Sequence, residues 1–318
     1  MRNYVTEEEG KSFNINYDYV QSWDHEFSIY KTRNENLMIR YFLEGSREKQ
    51  RLGIEILVFL SKFWFATKEH MAKLLQMKGL QSQLLEEILE EYLSNRIINC
   101  FTLAQFPLDK MPDDAMRIYC LDHGAKFILT HFYREDFVHW QTTDNNRGSE
   151  QVVKCLSTCQ FYLSLLAAKR EDLRIFEPIF DVSIGRRDAR FSANFEIARE
   201  GQIRKFILES VRTYDLPTYW RKKVAEQISP FIMNKFWRQT FPEEPVFILL
   251  AETAEDALEA ADIFYRRTMS PNFRVTTDID IAKGMEKAHF YRYMPSEDDT
   301  KIGILSPVRA TIFCSKES

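Results

Sequence analysis

The sequence predicts an α+β protein in two parts, and three observations carry that expectation. The chain has 318 residues, which favours two domains at roughly 100–200 residues each. In the first half, amphipathic helices are followed by two strand-like runs. The second half reads α-β-β-β-α-β-α-β, with no internal repeat. A composition of 45% hydrophobic and 28% charged residues is that of a folded globular chain, and 10 Gly with 10 Pro argues against low complexity.

Residues 1–47 form a polar arm with scattered aromatics that turns helical from about Glu35. Arg51–Phe65 is apolar nearly all round, as a buried helix would be. Thr67 offers an N-cap for a helix at Lys68–Gln76, and a break at Lys78-Gly79 follows. Gln81–Arg96 places Leu84, Leu85, Ile88, Leu89, Tyr92 and Leu93 on one stripe of a further helix. Ile97–Phe106 and Met116–Leu121 are strand-like, and the turn-rich Pro107–Asp114 joins them as a hairpin. With the helix Ala125–Phe132 behind them, these elements predict a winged helix-turn-helix over 48–135.

Residues 136–148 read as a linker, and a second domain is expected over 149–280. It opens with a long helix at Glu150–Arg170. Strands follow at Ile175–Val182, Ala189–Ala198 and Ile203–Arg212. Pro217–Lys235 is helical with a bend near Pro230, and VFILLA ending at Ala251 is a buried strand. Thr253 caps a helix through Arg267, and Phe273–Asp278 is a short strand. The tail, 281–318, is polar and then β-like at Ile302–Leu305 and Ala310–Phe313, with the pattern of an added edge strand.

A formal charge of −4 excludes a globally basic nucleic-acid coat while leaving room for a local patch. There is no run of 18 apolar residues and no apolar leader, so no membrane contact is expected and a cytoplasmic location is. The five cysteines form no CxxC pair, which speaks against a zinc ribbon or a disulfide framework. Cys155 and Cys159 read as small core residues on one helix face. No phosphate loop, HExxH pair or nucleophile elbow is present.

The chemistry-bearing residues lie in the second half. Asp188 stands at the start of the second strand and Glu209 near the end of the third. Two carboxylates at one end of a sheet suit a divalent cation that polarises a phosphate and activates a water. The element order and this pair resemble restriction-endonuclease-like nucleases of the PD-(D/E)xK class. That resemblance implies Asp188, Glu209 and the leading-helix Glu150 as ligands of Mg²⁺ or Mn²⁺. The lysine of the motif should stand two residues after Glu209, where Val211 stands instead; Lys222 or Lys223 on the next helix is its replacement. A plainer reading makes Asp188 a polar strand end and Glu209 a partner of Arg187 or Arg212.

The whole chain also resembles the replication-relaxation family of mobile-element proteins, which pair a winged helix with a nuclease-like domain. Tyr119-Cys120-Leu121-Asp122-His123-Gly124 is similar to that family's motif after the wing, with Asp122 in place of its threonine. Arg187-Asp188-Ala189-Arg190-Phe191 is similar to its P-D-A-x-F, with Arg187 in place of the proline. Phe206-Ile207-Leu208-Glu209-Ser210, with a helix at Lys222–Pro230, completes the match over about 48–280.

Charge divides the two halves. The helix in the recognition position exposes Glu86, Glu87, Glu90 and Glu91, which a polyanion would repel, so the winged helix is expected to hold a protein partner or a second copy. Leu216–Thr240 instead carries Arg221, Lys222, Lys223, Lys235 and Arg238 against Glu226 alone. Tyr219, Trp220, Phe236 and Trp237 are interleaved, a pattern that suits single strands or a phosphate backbone. Arg186, Arg187, Arg190 and Arg212 are expected at the same end of the sheet. Three functions stay open: a non-catalytic DNA-binding or regulatory protein contacting DNA through this basic face, an active Mg²⁺-dependent nuclease, and a protein-interaction scaffold that does not touch DNA.

Overall fold

The structure is a computed structural model that describes residues 2–5, 12–15, 20–23, 35–80, 82–104, 116–133, 140, 142–145, 147–169, 171–185, 187–199, 201–298 and 300–308. The expected turn at Pro107–Asp114, the strand at Ala310–Phe313 and Arg186 lie outside these residues. The protein is mixed α+β and divides into two compact units, Ile15–Cys159 and Gln160–Ser318, the second including Arg2–Asn14. Strands β1 (Arg2–Val5) and β2 (Ser12–Ile15) form a small sheet of their own.

In the first unit, β3 (Val20–Trp23) precedes α1 (Glu35–Glu44) and α2 (Arg47–Phe63). Ser46 caps α2, its hydroxyl accepting from the Lys49 amide at 3.2 Å. The two-residue strand β4 (Ala66–Thr67) leads into α3 (Lys68–Met77). Thr67 is the expected cap, and His70 closes a capping box by accepting the Thr67 amide on Nδ1. Burial of this imidazole pulls its pKa down to about 3, so it is neutral. A single turn at Ser82–Leu84 precedes α4 (Leu85–Ser94), which is shorter than the expected Gln81–Arg96. Leu85, Ile88, Leu89 and Tyr92 of α4 are buried, as the stripe predicts.

Strands β5 (Ile98–Ala104) and β6 (Ile118–Leu121) complete an antiparallel sheet in the order β3-β5-β6-β4. The arm therefore supplies a strand, β3, which its polar composition concealed. Helix α5 (His123–Phe132) follows. Asp122 caps it, accepting from the His123 amide at 2.7 Å and from Arg96 Nε at 2.6 Å. The expected linker is not a simple spacer. Trp140 and Asn145 are buried, and Asn145 joins Trp140 Nε1 to the Leu121 carbonyl.

Helix α6 (Ser149–Lys169) starts in the first unit and ends in the second. Cys155 and Cys159 on it are both buried. In the second unit β7 (Leu173–Ile184), β8 (Arg187–Arg199) and β9 (Gln202–Val211) form an antiparallel meander. A helical run from 216 to 233 follows. Its α-turns at Arg221–Lys223 (α7) and Ser229–Met233 (α8) alternate with wider π turns at Leu216–Trp220 and Val224–Ile228. Strand β10 (Val246–Ala251) is parallel to β9. Then come α9 (Ala254–Thr268), β11 (Phe273–Thr277), which is parallel to β10, and the short α10 (Asp278–Ala282). Two antiparallel strands, β12 (Phe290–Met294) and β13 (Ile304–Val308), finish a seven-stranded sheet ordered from β13 to β7. The expected tail thus belongs to this sheet as far as Val308.

Both faces of the sheet are covered. Ile207, Phe247 and Leu249 pack in one apolar cluster with Trp220, Phe231 and Phe264. Their chain neighbours Phe206, Leu208, Ile248 and Leu250 pack in another with Phe161 and Phe290. This two-sided burial explains the unbroken apolar run of β10. Strand β8 changes faces partway along. Ala189 and Phe191 join the first cluster, whereas Ala193, Phe195 and Ile197 join the second, although all are odd-numbered. The change falls at Ser192. On β7, between the partners of Phe191 and Ala193, Ile179 has a φ of 59°, unusual for a β-branched residue.

Candidate functional site

Ser192 also interrupts the β8–β9 ladder, and side chains take over there. Its amide donates to Glu209 Oε2 at 3.3 Å, and its hydroxyl accepts from the Ser210 amide at 2.9 Å. Glu209 is 1% exposed. Its other oxygen, Oε1, accepts from Lys223 Nζ at 2.5 Å, and Lys223 is itself 5% exposed. The Lys223 amine also stands 5.6 Å from the centre of the Phe191 ring. Lys223 sits between the two π turns, on the helical face that also buries Trp220, Val224 and Ile228. Helices widened in this way can turn an added residue inward.

Of the two candidate lysines, Lys223 is the one that meets Glu209. The plainer reading, with Arg187 or Arg212 as partner of Glu209, is corrected: both bond elsewhere. Lys222 is exposed and takes no part in the pair. Asp188 does not join the site. It is exposed, opposite Ser183 in the β7–β8 register, and accepts from the Ser183 hydroxyl at 2.8 Å. Ser192, which bonds Glu209, is four residues further along the strand, about 13 Å at ~3.3 Å per residue. Glu150 is exposed in the first turn of α6, its carboxylate folded back over Gly148, and it belongs to the first unit.

A divalent cation needs several oxygens free to turn toward it. Both Glu209 oxygens already have partners, and Asp188 is not beside it. Among the described residues no group of three or more His, Cys, Asp or Glu side chains could hold a metal ion. The donor set does not fit Mg²⁺ or Mn²⁺.

The expected basic face is thinner than its sequence suggests. Arg212 is fully buried and bonds Asp278, so it is not a surface cation. Arg190 is held two-pronged by Asp181 at 2.7 and 2.8 Å. Arg221 pairs with Glu259 at 3.2 Å, and Arg187 lies 3.9 Å from Glu226. Trp220 and Trp237 are core residues, and only Tyr219 of the four aromatics is exposed. Lys222, Lys235 and Arg238 are exposed and, among the described residues, take part in no ion pair. Arg238 lies 5.3 Å over the Trp237 ring. The β7–β8 turn packs near this segment, with Phe236 where a side chain on Gly185 would touch it.

The acidic helix α4 is also not what its sequence implies. Lys49 of α2 bonds Glu87 at 2.7 Å and Glu91 at 3.2 Å, which raises the lysine pKa. Lys68 of α3 bonds Glu86 at 2.9 Å, which lowers that carboxyl. Three of the four carboxylates on the outward face of α4 are paired, and Glu90 is exposed and, among the described residues, takes part in no ion pair.

Sequence reasoning missed a second polar interior. Arg212, Glu252 and Asp278 each follow directly on a parallel strand, and all are buried. The signal was present at Glu252, where the apolar run of β10 ends on a charge. No family model, curated protein or solved structure matches the chain. No described helix is long and apolar enough to cross a membrane.

Proposed function

We propose that the chain is a nucleic-acid-associated protein of the replication-relaxation kind, acting in the replication, transfer or regulation of a mobile element without cutting DNA. The observation that carries this reading is the buried Glu209–Lys223 pair, with Asp188 exposed elsewhere. A nuclease carboxylate must face a cation and a phosphate; this one faces an internal lysine. The topology supports the fold half of the reading. In the first unit β4 pairs with β6 beside β5, around α2, α3 and α4, as in a winged helix. In the second, a helix, an antiparallel three-strand meander, a helix and a strand parallel to the third follow the nuclease-like order.

The DNA-facing groups in this reading are Arg187, Lys222, Lys235 and Arg238. The test is fluorescence anisotropy with labelled single- and double-stranded DNA over a range of salt. Binding should weaken linearly on a log–log plot, and the combined change Lys222→Glu, Lys235→Glu, Arg238→Glu should flatten the slope by up to ~0.9 for each phosphate the variant no longer neutralises. A second reading, a scaffold that binds protein alone, is favoured by the internal pairing of Arg190, Arg212 and Arg221. It takes over if folded protein shows no DNA binding at low salt.

A further inference from the structure

The face of the large sheet turned away from the helical run carries a row of donors that the proposed function does not use. Strand alternation sets the row. Phe273, Val275 and Tyr293 pack in the cluster of Trp220 and Phe231, whereas Phe290 and Val308 pack with Phe161. Arg274 and Arg292 therefore belong to the second face. In the antiparallel β11–β12 pair Val275 stands opposite Tyr291, so the residues next to them, Arg274 and Arg292, oppose each other. Ser306 of β13 stands opposite Arg292, and Ile248 of β10 lies beside Arg274. Two guanidiniums and a hydroxyl thus line up across three neighbouring strands.

Like charges directly opposite each other destabilise a sheet. Elsewhere in this unit arginines have carboxylate partners, as Arg190, Arg212, Arg221 and Arg266 do. Arg274 and Arg292 take part in no ion pair among the described residues. The even-numbered positions of β10, β11, β12 and β13, which share this face, include no Asp or Glu. Glu244, ahead of β10, accepts from the Ser270 hydroxyl at 3.2 Å. Arg274 is half-buried and donates through Nη1 to the Phe273 carbonyl at 2.6 Å, while Arg292 is exposed. Burial first, and then the charge of Arg292, pull the Arg274 pKa down, but a guanidinium so placed stays charged.

We propose that Arg274, Arg292 and the Ser306 hydroxyl bind a phosphate group, presented by a nucleic-acid backbone or by a small phosphorylated molecule. Planar guanidiniums offer paired N–H donors that match phosphate oxygens, and the hydroxyl adds one more donor. The bound anion cancels the repulsion across β11–β12. On one side of the row stand Met294 and Ile304, 47% and 63% exposed and paired in register, and on the other Phe290 and Val308. The donors are thus bordered by apolar side chains, not by carboxylates that would compete with phosphate. The site does not rest on the DNA reading above, whose cations lie on other elements.

The test is nitrogen-15 NMR of the arginine Nε–Hε groups in the wild-type protein, titrated with sodium phosphate while sodium chloride holds the ionic strength constant. The Arg274 and Arg292 signals should shift and saturate. Arg292→Gln should weaken phosphate binding by about 10- to 100-fold, and Ser306→Ala by up to ~10-fold. Arg292→Gln should not lower the melting temperature in phosphate-free buffer, because it removes one of two opposed like charges. A single-stranded oligonucleotide added to the phosphate-bound protein identifies the source. Displacement of phosphate, with weaker oligonucleotide binding by Arg292→Gln, marks a nucleic-acid backbone; phosphate that stays bound marks a small phosphorylated molecule. Shifts that rise linearly without saturating, or that chloride alone reproduces, would overturn the proposal whatever the protein does with DNA. So would an unchanged phosphate affinity in Arg292→Gln.

Discussion

The two units place their charges in opposite ways. The first keeps most of them outside, where Lys49 and Lys68 pair with the carboxylates of α4; among its described residues the buried His70 is neutral, and the buried Asp122 caps α5 and meets Arg96. The second draws charges in: Glu209 with Lys223, Arg212 with Asp278, and Glu252 and Asp256 beside them. Exposed pairs contribute about 0.2–1 kcal/mol, whereas removing one partner of a buried pair costs about 3–5 kcal/mol. The second unit is therefore built around charges whose loss it cannot absorb, and they sit at or near the ends of β9, β10 and β11.

The largest effect should come from Lys223→Ala, which strands a buried carboxylate and should cost about 3–5 kcal/mol in urea unfolding. Replacing both partners, Glu209→Leu with Lys223→Met, should restore most of that loss, since an apolar pair of similar volume avoids the desolvation cost. A loss of under about 1 kcal/mol for Lys223→Ala would break the contrast between the units.

The next effect concerns His70. Its folded pKa is about 3 against an ordinary 6.5, so below 6.5 the unfolded state binds the proton and the folded state does not. Stability of the first unit should fall as pH falls, by about 2 kcal/mol between pH 6.5 and 5. His70→Gln should remove that slope while retaining a side chain that can accept the Thr67 amide. The sign is opposite for Asp278 in the second unit, whose carboxyl burial pushes up to about 6, so mild acid should loosen one unit and tighten the other. A shared sign in unit-resolved hydrogen exchange would contradict this.

Smaller still is Arg190→Ala, which breaks an exposed two-pronged pair and should cost no more than about 1 kcal/mol by thermal unfolding.

Much of the fold was legible because periodicity reports burial. The stripe of α4, the caps Thr67 and Thr253, and the apolar run of β10 each fixed an element to within a few residues. Strand β3 was hidden because its four residues, VQSW, pair along one edge of β5 and carry little apolar signal. At the site, Glu209 and a relocated lysine were legible. The distance of Asp188 was not, because the face change at Ser192 has no marker in sequence. The cations of the supposed basic face were counted correctly, but composition cannot say that Arg212 turns inward or that Arg190 has Asp181 across the hairpin. The aromatics interleaved with them look alike in sequence whether they stack on bases or, like Trp220 and Trp237, fill a core.

The central claim is that Glu209 serves the fold and not a metal. It is tested most directly by incubating plasmid and single-stranded DNA with folded wild-type protein in Mg²⁺ or Mn²⁺, beside Asp188→Ala and Glu209→Gln. The account predicts intact DNA in every lane. Cleavage by the wild type that disappears in both variants would contradict it, and would mean that Asp188 and Glu209 come together in a state other than the one described.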